Sequence, residues 1–119
     1  MMPAVCDIRY EGTTIILTPL SNVGELDYDR FQRNTESAFA ALGQGQMKNV
    51  VVNFGKTDFF GSHAVNLLLQ FQRGARLAGG KMALCGLSDH AREVLKVMTL
   101  ETYWEVFDSE EQALAAVRN

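Results

Sequence analysis

One segment of the chain, Asn49 to Phe54, limits the choice of fold more than any other. It reads NVVVNF, a nearly continuous run of apolar, β-branched residues. A run of this kind is typical of a strand that is covered on both faces or lies in the middle of its sheet. We therefore expect a sheet in which this segment is the central, largely buried strand.

Four further segments are expected to form the neighbouring strands. Cys6–Tyr10 and Thr13–Thr18 are β-rich and separated by Glu11-Gly12, which predicts a hairpin. Further along the chain, Lys81–Cys85 predicts another strand and Tyr103–Phe107 a short final extended segment. The sheet should accordingly contain four to five strands.

About four helices are predicted between and after these strands. Asp27 and Ser62 stand where the first two helices should begin. Ser88 and Ser109 are expected to cap the last two, the latter in a capping box with Gln112. Apolar residues at helical spacing would face the sheet: Phe31, Thr35, Ala38, Phe39 and Leu42; Ala64, Leu67, Leu68, Phe71 and Ala75; Ala91, Val94, Leu95 and Met98; Ala113, Leu114 and Val117. The order ββαβαβα(β)α indicates one α/β domain over residues 1–119, with a mixed sheet.

The charge and the cysteine content limit which partners the protein is expected to bind and in which cellular compartment it is expected to lie. Eleven Lys and Arg against fourteen Asp and Glu give a formal charge of −3, which provides no basic field for a nucleic acid backbone. Cys6 and Cys85 are too few and too far apart to indicate a disulfide scaffold or a CxxC metal site, and both are expected as buried thiols. No segment approaches the roughly 18 apolar residues of a membrane span. We expect a cytoplasmic protein that binds no nucleic acid or metal and does not insert into a membrane.

The stretch VVVNFGKTDFFGSHAVNLLL resembles the STAS family, in which an apolar central strand leads into a Phe-x-Asp-Ser-Ser/Thr-Gly-Leu turn that opens a helix. The later segments GGKMALCGLS, AREVLKVMTL, YWEVFDS and EEQALAAV follow the family's order, so the resemblance covers roughly Tyr10 to Val117. It implies a STAS-like domain acting as a bacterial, non-catalytic regulatory module of the anti-sigma factor antagonist type, without a cofactor. Its partner would be an anti-sigma factor or a related ATP-binding protein of kinase fold.

The helix-opening turn departs from the family pattern. The family's Asp-Ser-Ser/Thr-Gly falls on Gly61-Ser62-His63-Ala64, so the usual aspartate is replaced by Gly61 and the phosphorylated hydroxyl by His63. Ser62 remains as a candidate phosphoacceptor or partner contact, and equally as a helix cap. The residues expected to bind a partner or to form the switch are Asp58, Phe59, Phe60, Gly61, Ser62 and His63.

Aromatic residues add a candidate anchor to this turn. Phe59 and Phe60 cannot both be buried if the segment is extended, because neighbouring side chains then point to opposite faces. One of the two would be exposed beside the switch, where a partner could bind it. Tyr103 and Trp104 are expected in the core beneath the last helix.

Other functional classes receive less support. Ser62 and His63 do not form a nucleophile–base pair, because neighbours on a helix point about 100° apart. Asp58 follows the central strand as a phosphorylated aspartate would, but the first strand is not followed by the acidic pair that such a site needs for Mg²⁺. No catalytic residue is therefore assigned, and an enzyme is the least favoured class. A STAS scaffold subunit of a lipid-transport or stress-signalling complex is the alternative function, and a homodimer is left open.

Overall fold

A computed structural model describes residues 6–20, 28–57, 62–100 and 102–118, with backbone alone for residues 28 and 62–64. The five strands of the sheet are β1 (Cys6–Glu11), β2 (Thr14–Pro19), β3 (Asn49–Asn53), β4 (Met82–Cys85) and β5 (Glu105–Phe107). They lie side by side in chain order; β1 pairs antiparallel with β2, and the remaining pairs are parallel. The prediction of a mixed sheet with β3 at its centre is confirmed.

The helices number five among the described residues, one more than predicted. They are α1 (Tyr28–Asn34), α2 (Glu36–Gly43), α3 (Ser62–Leu77), α4 (Asp89–Val97) and α5 (Glu110–Arg118). The predicted first helix is divided at Thr35, whose hydroxyl donates a hydrogen bond to the Phe31 carbonyl oxygen at 3.0 Å. The Thr35 backbone N–H donates to the same oxygen at 3.1 Å, but the φ of −100° and ψ of 3° at Thr35 interrupt the helical geometry there. The predicted N-cap, Asp27, lies outside the described residues.

The hairpin between β1 and β2 turns one residue later than predicted. Glu11 pairs with Thr14, so the two turn residues are Gly12 and Thr13. Gly12 has a φ of +61°, a conformation that glycine adopts without the steric cost that a side chain would add. A positive φ at the first residue of a two-residue hairpin turn gives the turn a backbone twist that matches the right-handed twist of the flanking strands.

Both faces of the sheet are buried, because the side chains of each strand alternate between them. Val50 and Val52 of β3 belong to the larger core, with α1–α4, whereas Val51 belongs to a smaller core beneath α5. This division explains why β3 reads as a continuous apolar run. The predicted inward face of α5 is confirmed, and so is that of α3 from Leu67 to Ala75, with Leu68 only 4% exposed; the side chain of Ala64 lies outside the described part of the chain.

Three expectations about apolar residues were wrong. Met98, expected on the inward face of its helix, is 37% exposed and follows the last residue of α4. Trp104 is buried, but it belongs to the larger core and lies on the face opposite α5, while its neighbour Tyr103 is 48% exposed. Phe39, expected on the inward face of the first helix, is 42% exposed. Tyr103 and Trp104 are adjacent large residues of which only one is directed into the core, and Phe39 is adjacent to the buried Ala38.

Both cysteines are free, buried thiols on strands, as predicted. Burial raises the pKa of Cys6 to about 12. Burial, and secondarily the negative charge of Glu110, raises the pKa of Cys85 to about 11. Neither thiol is therefore ionised near neutral pH, as a reactive cysteine would need to be.

None of the described helices combines the length and apolar character needed to cross a membrane.

Candidate functional site

Three helices begin at one edge of the sheet. The parallel strands β3, β4 and β5 end at Asn53, Cys85 and Phe107, and α3, α4 and α5 follow them in turn. We call this the carboxyl edge. In open α/β sheets, the crevices outside this edge are where binding sites form, because loops and helix starts converge there.

The connection from β3 to α3 is anchored over its described part. The Asn53 carboxamide oxygen accepts a hydrogen bond from the Gly55 backbone N–H at 2.8 Å. The Phe54 N–H donates to the Cys85 carbonyl oxygen at 2.8 Å, and Phe54 is buried. Thr57, also buried, donates to the Phe54 carbonyl oxygen through its N–H at 3.0 Å and its hydroxyl at 3.4 Å. The segment entering the predicted switch is thus held firmly against β4.

A glycine after β4 allows the next connection to approach this one. Gly86 has a φ of +71°, and a Cβ atom there would lie 2.9 Å from the Asn53 carboxamide oxygen and 3.0 Å from the Gly55 nitrogen. Only glycine satisfies both requirements without a rearrangement. Sequence reasoning did not single out Gly86, and its only local signal is its place directly after a strand.

The predicted switch residues are described only in part. Asp58, Phe59, Phe60 and Gly61 lie outside the described residues, so their roles stay predictions. Ser62 and His63 are the first two residues of α3. Ser62 therefore stands one position further into its helix than Ser88 and Ser109, which precede α4 and α5.

The starts of α4 and α5 have the side-chain caps that the sequence predicted. The Ser88 hydroxyl accepts from the Ala91 N–H at 3.1 Å. The Ser109 hydroxyl accepts from the Gln112 N–H at 3.2 Å, and the Gln112 carboxamide oxygen accepts from the Ser109 N–H at 3.3 Å. This reciprocal pair is a capping box. These bonds fix two of the three helix starts at the carboxyl edge.

Glu110 connects three elements beneath this edge. Its carboxylate accepts hydrogen bonds from the Arg9 guanidinium on β1 and, at 3.2 Å, from the Asn53 side-chain amide on β3. It also lies in the first turn of α5, where the helix dipole favours a negative charge. The same Asn53 side chain thus links the β3–α3 connection to α5, a contact that sequence reasoning missed.

The chemistry available at the carboxyl edge is polar and charged. Arg92 of α4 pairs with Asp108, just before α5, with 3.3 Å between a guanidinium nitrogen and a carboxylate oxygen. Within the described ranges, no three His, Cys, Asp or Glu side chains come together as a metal site would require. The arrangement suits recognition of another macromolecule through a surface whose backbone is held in place.

Comparison with known proteins identifies relatives of this chain. The sequence model of the STAS domain matches residues 9–113. BtrV of Bordetella bronchiseptica, whose name places it among anti-sigma factor antagonists, is 29% identical over 83 residues, covering 70% of this chain and 72% of BtrV.

Solved structures show the same fold. A Thermotoga maritima protein described as an anti-sigma factor antagonist superposes with a TM-score of 0.83 at 17% identity, covering 96% of this chain and 95% of the other. The anti-sigma factor antagonist SpoIIAA in its unphosphorylated form has a TM-score of 0.78 at 20% identity, covering 95% and 96%. In its phosphorylated form, Bacillus SpoIIAA has a TM-score of 0.71 at 19% identity, covering 93% and 97%.

Proposed function

Because the chain belongs to the STAS family, we propose that it acts as a non-catalytic regulatory module of the anti-sigma factor antagonist type. The observation that carries this proposal is the extent of the match, which runs from β1 into α5 and includes the whole β3–α3 connection. The names of BtrV and SpoIIAA support the same role. The partner would be an anti-sigma factor or a related ATP-binding protein of kinase fold.

The docking surface would be the turn and helix start around Gly61 to His63. Asn53, Phe54 and Thr57 anchor the chain that enters this turn, and the capped starts of α4 and α5 lie along the same edge. A fixed backbone lowers the ordering cost of binding a partner. Asp58, Phe59 and Phe60 precede the turn directly and would widen the contact.

The switch itself would be altered in this chain. His63, at the family's acceptor position, cannot take a phosphate from a Ser/Thr kinase, and its protonated form would oppose the positive end of the α3 dipole. Ser62 is displaced by one residue, which turns its hydroxyl by about 100° around the helix. The module would therefore remain unphosphorylated and competent to bind.

The experiment is phosphate transfer from a Ser/Thr kinase of this regulatory class. Wild type, Ser62→Ala, His63→Ser, His63→Ala and the double variant Ser62→Ala/His63→Ser would be compared for phosphate incorporated per chain. We expect incorporation into both proteins that contain His63→Ser and none into wild type or His63→Ala. Efficient labelling of wild type that Ser62→Ala abolishes would contradict the altered switch.

Binding is tested separately, with the purified ATP-binding anti-sigma factors of the source organism as titrants in calorimetry. We expect one of them to bind wild type and to bind Gly61→Trp at least about tenfold more weakly, since a bulky side chain would obstruct the turn. Val97→Trp is the matched control, because Val97 is an exposed residue of α4, and it should leave the affinity unchanged. Absence of binding to every such protein would refute the proposed partner class.

A further inference from the structure

A long groove runs along the outer side of α1–α2 and α3. Because β2, β3 and β4 are parallel, both helical segments run from the carboxyl edge to the opposite edge on the same face of the sheet. Two adjoining cavities, of about 460 and 490 Å³, lie between them and share Phe39 and Gln70 in their linings. We call these two cavities together the α2–α3 groove.

The half of the groove nearer the end of α3 is apolar and open. Leu77 is 83% exposed, and the exposed Phe39 ring is held edge-on to Phe71 at a centroid distance of 5.4 Å. Gly43 and Gly74 line the space between them. A Cβ atom at Gly74 would lie 3.2 Å from a Leu42 methyl group, so the two helices are close here and the glycines leave a depression above that contact.

The charges lining the groove differ between its halves. Arg73 lines the apolar half. The other half, towards the carboxyl edge, is lined by Asp29 and Glu36 together with Arg33. A ligand that matches both halves must carry negative charge at one end, positive charge at the other and apolar groups between them.

We propose that the α2–α3 groove binds an amphipathic helix of a protein partner. The acidic first turn of that helix would lie over Arg73, its apolar residues between Phe39 and Leu77, and its basic last turn near Asp29 and Glu36. Acidic residues stabilise a helix at its N-terminus and basic residues at its C-terminus, so the charges of the groove select a helix antiparallel to α3. Apolar residues at i, i+3 or i+4, and i+7 are the anchors that such a groove accepts.

The apolar half of the groove lies far from the proposed switch, whereas the other half, lined by Leu67, comes within about one helical turn of His63. The sixteen residues of α3 span about 24 Å, which puts Leu77 at the far end of the helix from His63. The proposal does not rest on the antagonist function.

The probes are two labelled helical peptides of about 14 residues, about the length of a typical helix. Both have the same leucine face; one has Glu in its first turn and Lys in its last turn, and the other has these charges exchanged. Fluorescence anisotropy measures affinity, and the backbone amide NMR signals of Gly43 and Gly74 report where the peptide binds. We expect the first peptide to bind at least about tenfold more tightly than the exchanged one.

Variants of the groove sharpen the test. Leu77→Asp should weaken binding of the first peptide about tenfold, since it removes an apolar anchor and adds repulsion. Arg73→Glu should weaken the first peptide and strengthen the exchanged one. Val97→Asp and Lys96→Glu, on α4, are matched controls at exposed positions and should change either affinity by less than about twofold.

Three results would overturn the proposal. Binding of neither peptide, or equal binding of both, would show that the groove does not select a charged amphipathic helix. An effect of Val97→Asp as large as that of Leu77→Asp would place the binding elsewhere. Self-association that Leu77→Asp abolishes would make a second copy of the chain the occupant. Phosphate transfer to His63→Ser should be unchanged in the Leu77→Asp background, so failure here is distinguishable from failure of the proposed switch.

Discussion

The two faces of the sheet are covered in different ways. One face carries α1–α4 over a large apolar core, whereas the other carries, of the helices that the structure describes, only α5, which has nine residues and lies over a small core. On the face covered by α5, charged side chains at both ends of the helix also contact the sheet. Glu110 in the first turn of α5 binds Arg9 and Asn53, and Arg118 in its last turn pairs with Glu11 at 2.7 Å.

The difference shows two ways of holding a helix on a sheet. Apolar burial holds α1–α4, and it responds mainly to the volume of the side chains removed. The position of α5 depends in addition on ion pairs that are partly exposed and therefore sensitive to salt. We expect α5 to detach in local opening events more readily than α3, whose inward face is buried along its length.

The largest predicted effect compares one leucine on each face. Leu68→Ala, on α3, should reduce the free energy of unfolding by about 2–5 kcal/mol, because it leaves a cavity in the larger core. Leu114→Ala, on α5, should cost about 1–2 kcal/mol, because Leu114 is 8% exposed and packs in the smaller core. Urea unfolding measures both values. Equal losses would contradict the comparison.

The next prediction uses the cysteine on each face. The usual pKa of a thiol, 9.0, applies to the unfolded chain, and folding raises it to about 12 for Cys6 and about 11 for Cys85. Below pH 9 both thiols are protonated in both states, so their contribution to stability is fully present. As pH rises from about 9 to 11 or 12, the unfolded chain loses protons that the folded protein keeps, and stability falls.

Single alanine variants separate the two thiols. Cys6→Ala and Cys85→Ala should each flatten the alkaline loss of stability, and the double variant should flatten it most. Chemical unfolding measured at several pH values between 8 and about 11.5 gives the slopes, and comparing slopes cancels the lysines and tyrosines that titrate in every variant. A double variant with the wild-type slope would show that the thiols do not account for the loss.

A smaller effect is expected from the contact at the start of α5. Glu110→Gln removes the charge that Arg9 binds and that favours the α5 N-terminus, and should cost about 1–2 kcal/mol. Added salt should lower wild-type stability towards that of the variant. The substitution should also lower the pKa of Cys85, since the Glu110 charge contributes to raising it. Thiolate absorbance measured against pH checks this second effect, and an unchanged Cys85 titration would contradict it.

Local signals in the sequence predicted most of the fold. The run of β-branched residues in β3 and the serines before α4 and α5 act through neighbouring residues, and each appears in the structure as expected. Contacts between distant residues were not predictable in the same way. The close approach of Gly86 to Asn53 results from the packing of two loops that are distant in the sequence. The division of the first helix at Thr35 accompanies a hydrogen bond of the threonine hydroxyl, which the presence of one threonine in the sequence does not reveal.

The order of strand, turn and helix start at the candidate site was predictable from the sequence, but the three-dimensional geometry of the site was not. Sequence spacing placed Ser62 and His63 at a helix start, which the structure confirms, because the end of a strand and the start of a helix have strong local signatures. Exposure was harder to predict: Phe39 and Tyr103 lie beside core residues in the sequence, and which of two neighbours is buried depends on the tertiary packing of α2 and β5. The α2–α3 groove is formed by two helices and has no signature in either one.

The smallest predicted effect concerns the other end of α5. The side chains of Glu11 and Arg118 are each 52% exposed, so water and salt screen their attraction, whereas the Glu110 side chain is 24% exposed and has two partners. Glu11→Gln should therefore cost less than about 0.5 kcal/mol, with a salt dependence close to that of wild type. Urea unfolding of Glu11→Gln, Glu110→Gln and the double variant at low and high salt measures both effects. A loss from Glu11→Gln equal to that from Glu110→Gln would mean that α5 is held equally at both ends, and that exposure does not decide the strength of these ion pairs.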